Sequence, residues 1–157
     1  MSIQSRIQRP LRLSGAAKTD PRTQFAVLPW RISKGKLKVC LVTSRETGRW
    51  ILPKGWPMGG ATPAQAAGNE AWEEAGLKGD IAPQPIGLYS YRKRLGSDEL
   101  PVIVVVYAMR VTEAAADYPE RGQRKRKWMG LKKASERLSD EELAHIVRHF
   151  DPKLAKV

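Results

Sequence analysis

The sequence predicts a single domain of α/β or α+β class, and three observations carry that expectation. β-Branched strand runs alternate with helical segments, one glycine-rich loop leads straight into a capped helix, and no repeat or interdomain linker divides the 157 residues. A chain of that length can bury one substantial core. At 41% apolar and 28% charged, the composition excludes collagen-like, disordered and disulfide-scaffold classes. No membrane partner is expected, because the longest apolar run, Pro101 to Met109, is about half of the roughly 20 residues that a spanning helix needs. The lone cysteine, Cys40, has no partner for an internal disulfide and reads as a buried strand residue of a reducing, cytoplasmic compartment.

In chain order, residues 1–21 read as a flexible basic arm and residues 22–157 as the domain. The first 19 residues contain Arg6, Arg9, Arg12 and Lys18 and no acid; an organellar transit peptide is the alternative reading. Strands are expected at Gln24–Arg31 and Leu37–Ser44, joined by a Ser-Lys-Gly-Lys hairpin loop, with Pro29 making the first an edge or bulged strand. Trp50–Leu52 is a short apolar segment. It enters the stretch Pro53 to Gly60, where three glycines and two prolines predict a loop without regular structure.

Thr62, Pro63 and Gln65 supply an N-cap, a first-turn proline and a capping box, and Gly76 a C-terminal stop. Strands follow at Pro85–Tyr91 and Val102–Val111, the second buried on both faces. A last helix begins at Leu138–Glu142, with Ser139 as cap answered by Glu142, and presents Leu143, Ile146, Val147 and Phe150 on one side. His145 and His149 on it lack the glutamate of a metalloprotease motif and read as ordinary histidines.

Chemistry concentrates on the helix after the loop. Glu70, Glu73 and Glu74 are spaced by three and four residues, so they share a face one turn apart and repel one another, with no Lys or Arg in that helix to offset them. A hard divalent cation would explain such a cluster, since Mg²⁺ takes oxygen ligands from a few carboxylates, water and substrate phosphate. A solvated acidic face has the same spacing. The other side, Ala67, Ala71 and Ala75 with Ala64, is small enough to lie close against a sheet.

Positive charge is unevenly spread. The formal charge is +12, and Arg121–Lys133 holds seven of the basic residues, with Arg92, Lys93 and Arg94 forming a second group. A polyphosphate ligand, gripped by Arg in bidentate fashion, is the functional reading; a solvated loop or nucleic acid is the less favoured one.

Gly55, Glu70, Glu73, Glu74, Gly76 and Leu77 fall at six fixed positions of the Nudix box within 23 residues, and the chain is identified by them as resembling the Nudix hydrolases. Ala61, Asn69 and Ala71 stand where that pattern has Glu, Arg and a larger aliphatic residue. The resemblance implies an α/β/α sandwich with a mixed sheet and Mg²⁺- or Mn²⁺-dependent hydrolysis of a diphosphate. It implies Glu70 and Glu74 as direct metal ligands, Glu73 as a water-mediated ligand or base, and the Lys54 carbonyl as a further ligand. The stretches Leu41–Gly55 and Arg124–Trp128 are similar to the subgroup acting on diphosphoinositol and diadenosine polyphosphates. A small-molecule polyphosphate substrate is therefore expected, with Arg22, Ser44, Arg45, Lys54, Gly55, Trp56, Arg124 and Arg126 as its binding residues. ADP-ribose or another nucleoside diphosphate derivative, and a decayed scaffold that binds nucleic acid or polyphosphate, are the alternatives.

Overall fold

The computed structural model describes residues 22–155, so the expected flexible arm lies outside the described residues. Eight strands and three helices follow in the order β1 (Arg22–Ser33), β2 (Lys36–Thr43), β3 (Trp50–Ile51), β4 (Lys54–Gly55), α1 (Pro63–Ala75), β5 (Leu77–Ile81), β6 (Gly87–Leu95), β7 (Asp98–Ala114), β8 (Arg126–Met129), α2 (Leu131–Arg137) and α3 (Glu141–Arg148), with a 3-10 turn at Pro152–Leu154. They form one mixed sheet: β1 runs parallel to β7, and the other pairings are antiparallel.

Alternation along the strands divides the core into two layers. Ala26, Leu28 and Trp30 of β1 pack with Val39 and Leu41, with Val102, Val104 and Val106, and with Leu143, Val147 and Phe150 around α3. The opposite parity, Phe25, Val27, Cys40, Val42, Tyr107 and Met109, packs on Ala66, Ala67, Ala71 and Ala75 of α1. Helices therefore cover both faces of the sheet, giving the expected α/β/α sandwich.

α1 is built as its sequence predicts. The Thr62 hydroxyl accepts from the Gln65 N–H at 3.1 Å while the Gln65 side chain accepts from the Thr62 N–H at 2.9 Å. Gly76 stops the helix in the left-handed region, at φ 66°. The hairpin between β1 and β2 turns on Lys34 and Gly35, both at positive φ, which matches the strand twist.

Several expectations need correction. β1 is central, not an edge: Pro29 is tolerated because pairing with β4 covers only Phe25 and Ala26 and pairing with β2 starts at Trp30, so a missing N–H there interrupts neither antiparallel ladder. The loop expected at residues 53–60 contains a two-residue strand, β4. β5 was not expected at all, since Lys78, Gly79 and Asp80 are poor strand formers; pairing with β7 imposes the extended form. β6 and β7 are one long hairpin, and the first half of β7 alternates buried and half-buried residues before both faces close over at Val106–Met109. The cap of α3 is Asp140, accepting from Leu143 N–H at 3.0 Å, whereas Glu142 reaches Ser90.

Candidate active site

α1 carries Glu70 and Glu74 one turn apart, and β4 brings Gly55 directly against them. A Cβ at Gly55 would lie 2.4 Å from the Glu70 carboxyl carbon, so any larger residue there would displace the carboxylate from this position. The acidic face is not turned to solvent as expected: Glu74 is buried at 5% exposure and Glu70 is half-buried. The two carboxyls are in hydrogen-bond contact. Burial, the Glu74 charge and that contact push the Glu70 pKa from 4.5 up to about 8, and burial likewise raises Glu74 against the opposing pull of Arg124.

No protein donor reaches Glu74 Oε1, although that atom is buried. An ionised carboxylate is not stable so, and a proton shared with Glu70, an ordered water or a cation can satisfy it. Among the described residues no three His, Cys, Asp or Glu side chains converge as a preformed cage. Mg²⁺ is commonly held by one or two carboxylates and keeps water and substrate oxygens for the remaining positions. The pair Glu70 and Glu74 thus fits a hard divalent ion. Glu73 does not line the cleft they occupy, and its carbonyl accepts from the Glu120 N–H at 2.9 Å.

Glu120 is a carboxylate that the linear reading missed. Its charge acts on both Glu70 and Glu74, and it arrives on the segment after β7, 46 residues beyond Glu74, where no spacing rule connects them. Backbone bonds fix that segment on the end of α1, Ala115 N–H to Gly76 carbonyl at 2.8 Å and Glu120 N–H to Glu73 carbonyl.

The carboxylates open into a cleft of about 420 Å³ lined by Gln24, Ser44, Arg45, Lys54, Gly55, Trp56, Lys93 and Arg124 among others. It adjoins a larger one of about 630 Å³, whose walls include Arg49, Trp50, Tyr91, Arg92 and Arg94. Ser44, Glu46, Ile51, Lys54 and Lys93 are common to both. Lys54 stands at the junction with its ammonium 5.2 Å from the Tyr91 ring centroid, and burial lowers its pKa despite Glu74.

Six of the eight expected substrate-binding residues, Ser44, Arg45, Lys54, Gly55, Trp56 and Arg124, are thus brought together. The other two are not. Arg126 points to the end of α1, donating to the carbonyls of Ala75 at 2.7 Å and Ala115 at 2.9 Å, with Tyr118 beneath its guanidinium. Arg22 is buried at the start of β1, and Gln24, two residues on, is the strand's contribution to the cleft. Arg124 lines the cleft but turns its guanidinium to protein groups. Nε donates to Glu120 at 2.8 Å, one terminal nitrogen donates to the Thr43 carbonyl at 3.1 Å, and the other lies 3.7 Å from Glu74 Oε2.

Residues 20–150 match the NUDIX domain model. The chain belongs to the Nudix family. Nudix hydrolase 12, mitochondrial, of Arabidopsis thaliana is 33% identical over 119 residues, 73% of this chain and 59% of that protein. Nudix hydrolase 16, mitochondrial, of the same plant is 35% identical over 107 residues, 65% of this chain and 59% of that one. This Nudix chain therefore spans about three fifths of the length of these relatives. Among solved structures, a C. elegans Ap4A hydrolase superposes with a TM-score of 0.61 at 20% identity, over 85% of this chain and 98% of that one. A MutT protein from Methanosarcina mazei Go1 gives 0.57 at 18%, over 90% and 100%. At such identities the structural likeness establishes the Nudix fold. Nudix hydrolases generally need divalent metal ions, and the carboxylate pair here is of the right chemistry for one.

Proposed function

We propose that this chain hydrolyses a phosphoanhydride bond in a highly phosphorylated small molecule, a diphosphoinositol polyphosphate or a dinucleoside polyphosphate, with Mg²⁺ or Mn²⁺. The observation that carries the reading is the pair of half-buried Glu70 and buried Glu74, held against Gly55 at the floor of a cleft whose outer walls carry Arg49, Arg92, Lys93 and Arg94 alongside Glu46, Glu99 and Asp140. Glu70 and Glu74 would hold the ion, with the Lys54 carbonyl as the further ligand that the resemblance implies and Glu73, outside the cleft lining, acting through water. When bound, the ion polarises a phosphoryl oxygen and lowers the pKa of attacking water.

The chain's own residues do the rest. Lys54, at the junction of the two clefts, offsets charge that develops on the phosphoryl group being transferred. Lys93, Arg92, Arg94 and Arg49 line the space that phosphates beyond the scissile pair would enter. Those residues favour a substrate richer in phosphate than ADP-ribose, which offers only two phosphates. The likeness to a structure named Ap4A hydrolase supports the same class.

The test is turnover on an inositol pyrophosphate, diadenosine tetraphosphate and ADP-ribose with Mg²⁺ and with Mn²⁺. Wild type should prefer the first two, and Glu70→Gln and Glu74→Gln should each lose about a hundredfold or more in kcat. Unchanged hydrolysis in both variants would refute the carboxylate centre. A preference for ADP-ribose would overturn the substrate class and leave the centre standing.

A further inference from the structure

The carboxylate centre has an unsolved electrostatic problem within its own helix. The charges of Glu74, Glu73 and Glu120 add to burial in raising the proton affinity of Glu70, Glu120 acts the same way on Glu74, and α1 contains no Lys or Arg. Position 69, where the Nudix pattern carries an arginine, is Asn. Among the described ion pairs, the one that Glu74 makes is with Arg124.

Arg124 is unusually constrained for an arginine in a substrate cleft. Its side chain is only 9% exposed, and all three guanidinium nitrogens face protein oxygens: Glu120 Oε1, the Thr43 carbonyl and Glu74 Oε2. Such a planar fork, pinned at the far end of β2 by Thr43, fixes the directions from which two carboxylates can be approached. The neighbouring backbone is fixed as well. Lys125 N–H donates to the Thr43 hydroxyl at 2.9 Å, and Thr43 N–H to the Lys125 carbonyl at 3.1 Å. Arg126 ties the next residue pair to the end of α1.

We propose that Arg124 is the positioning residue of this centre, supplying from the segment before β8 the charge balance and carboxylate orientation that α1 lacks, rather than gripping substrate phosphate. The inference rests on the reading of Glu70 and Glu74 as the metal-binding pair. An arginine anchored outside the helix holds Glu74 by its Oε2 side and leaves Oε1 open. Glu120 is held in the same fork, so loss of the guanidinium would unpair Glu74 and leave Glu120 with only Arg45, 3.8 Å away. This separates two roles that kinetics can tell apart: a phosphate grip acts on ground-state binding, and a positioning group acts on kcat whatever the substrate.

The experiment compares Arg124→Ala, Arg124→Lys and the double variant Asn69→Arg/Arg124→Ala with wild type and Glu70→Gln. Mn²⁺ affinity is measured by electron paramagnetic resonance, inositol hexakisphosphate binding to metal-free protein by calorimetry, and kcat and KM on diadenosine tetraphosphate and on ADP-ribose. Arg124→Ala should weaken Mn²⁺ binding and lower kcat about tenfold or more on both substrates, the usual cost of losing a group that orients metal ligands. KM and hexakisphosphate affinity should stay within about threefold, since no phosphate contact is lost. Asn69→Arg should restore most of the lost kcat and Mn²⁺ affinity, and Arg124→Lys should fall between wild type and Arg124→Ala. A raised KM with weakened hexakisphosphate binding would overturn the proposal and make Arg124 a phosphate ligand; so would unchanged Mn²⁺ affinity and kcat. Should Arg124→Ala fail to fold, Arg124→Lys and the double variant decide by the same criteria. Failure of the underlying site reading looks different, because Glu70→Gln would then retain full Mn²⁺ binding and turnover.

Discussion

Glu70 combines two conditions that are rarely compatible, a carboxyl partly removed from water and a second carboxyl in contact with it. With its pKa moved from 4.5 up to about 8, the folded state keeps a proton that the unfolded chain has already released. Rising pH between those values therefore costs stability in the metal-free protein; the contribution is intact below about 4.5 and gone above about 8. Glu70→Gln removes that penalty, so the metal-free melting temperature of the variant should fall less than wild type's from pH 5 to pH 8. Added Mn²⁺ at pH 8 should raise the wild-type melting temperature and leave the variant's nearly unmoved, which differential scanning fluorimetry checks in one plate. Equal pH slopes would show that Glu70 titrates normally. The spacing of Glu70 and Glu74 made this pair legible from sequence, because one turn of helix is a fixed distance. Their burial was not legible, since it depends on β4 lying across them. Glu73 shares the spacing but does not line the cleft, and Glu120 acts on both carboxylates through its charge without lining the cleft or sharing any spacing with them.

At the scale of elements, α1 and its two neighbours do most to shape the centre. β4 is two residues long and contributes little stability, yet its backbone sets how far Glu70 can lean. Gly55→Ala would place a methyl 2.4 Å from the Glu70 carboxyl carbon and force that carboxylate aside. The protein should fold, because β4 pairs with only Phe25 and Ala26, while kcat should drop about a hundredfold through the misplaced ligand. Circular dichroism beside turnover separates the two effects. The C-terminal end of α1 answers differently. Arg126 closes the Ala75 and Ala115 carbonyls, so Arg126→Met should cost on the order of 1.5–3 kcal/mol in chemical denaturation with KM unchanged. A raised KM at full stability would return Arg126 to the substrate-binding set. Local signals announced the helix fully, from the Thr62 and Gln65 capping box to Gly76, because caps are read within a few residues. β4 and β5 escaped notice for the converse reason: Lys54–Gly55 and Leu77–Ile81 are strands only because β1 and β7 offer them edges.

Across the whole molecule, a charge of +12 would attract any polyanion, and the fold decides where one can be held. The mixing of strands and helices was legible from local pattern, the α/β/α layering only through the resemblance carried by Gly55–Leu77, and the basic groups at Arg92–Arg94 and Arg121–Lys133 were plain in the sequence. Which of those cations face the carboxylates was not legible. The β6–β7 hairpin carries Arg92, Lys93 and Arg94 to the cleft wall, whereas Lys125 and Lys127 are exposed and Arg126 is committed to α1. Lys93 alone of the three lines both clefts, so it stands where a chain of phosphates leaving the carboxylates must pass. Lys93→Ala should therefore raise KM for an inositol pyrophosphate or diadenosine tetraphosphate by about tenfold to a hundredfold, the equivalent of one charge-assisted hydrogen bond of roughly 1.5–3 kcal/mol. ADP-ribose, with only two phosphates, should change by less than about threefold. Lys125→Ala/Lys127→Ala, which removes twice the charge from outside the clefts, should shift KM only through the overall field, and that shift should vanish as salt is raised to 0.5 M, where screening shortens below about 5 Å. A larger loss in the exposed pair than in Lys93 would mean that field rather than contact selects the substrate, and the polyphosphate cleft would lose its main support.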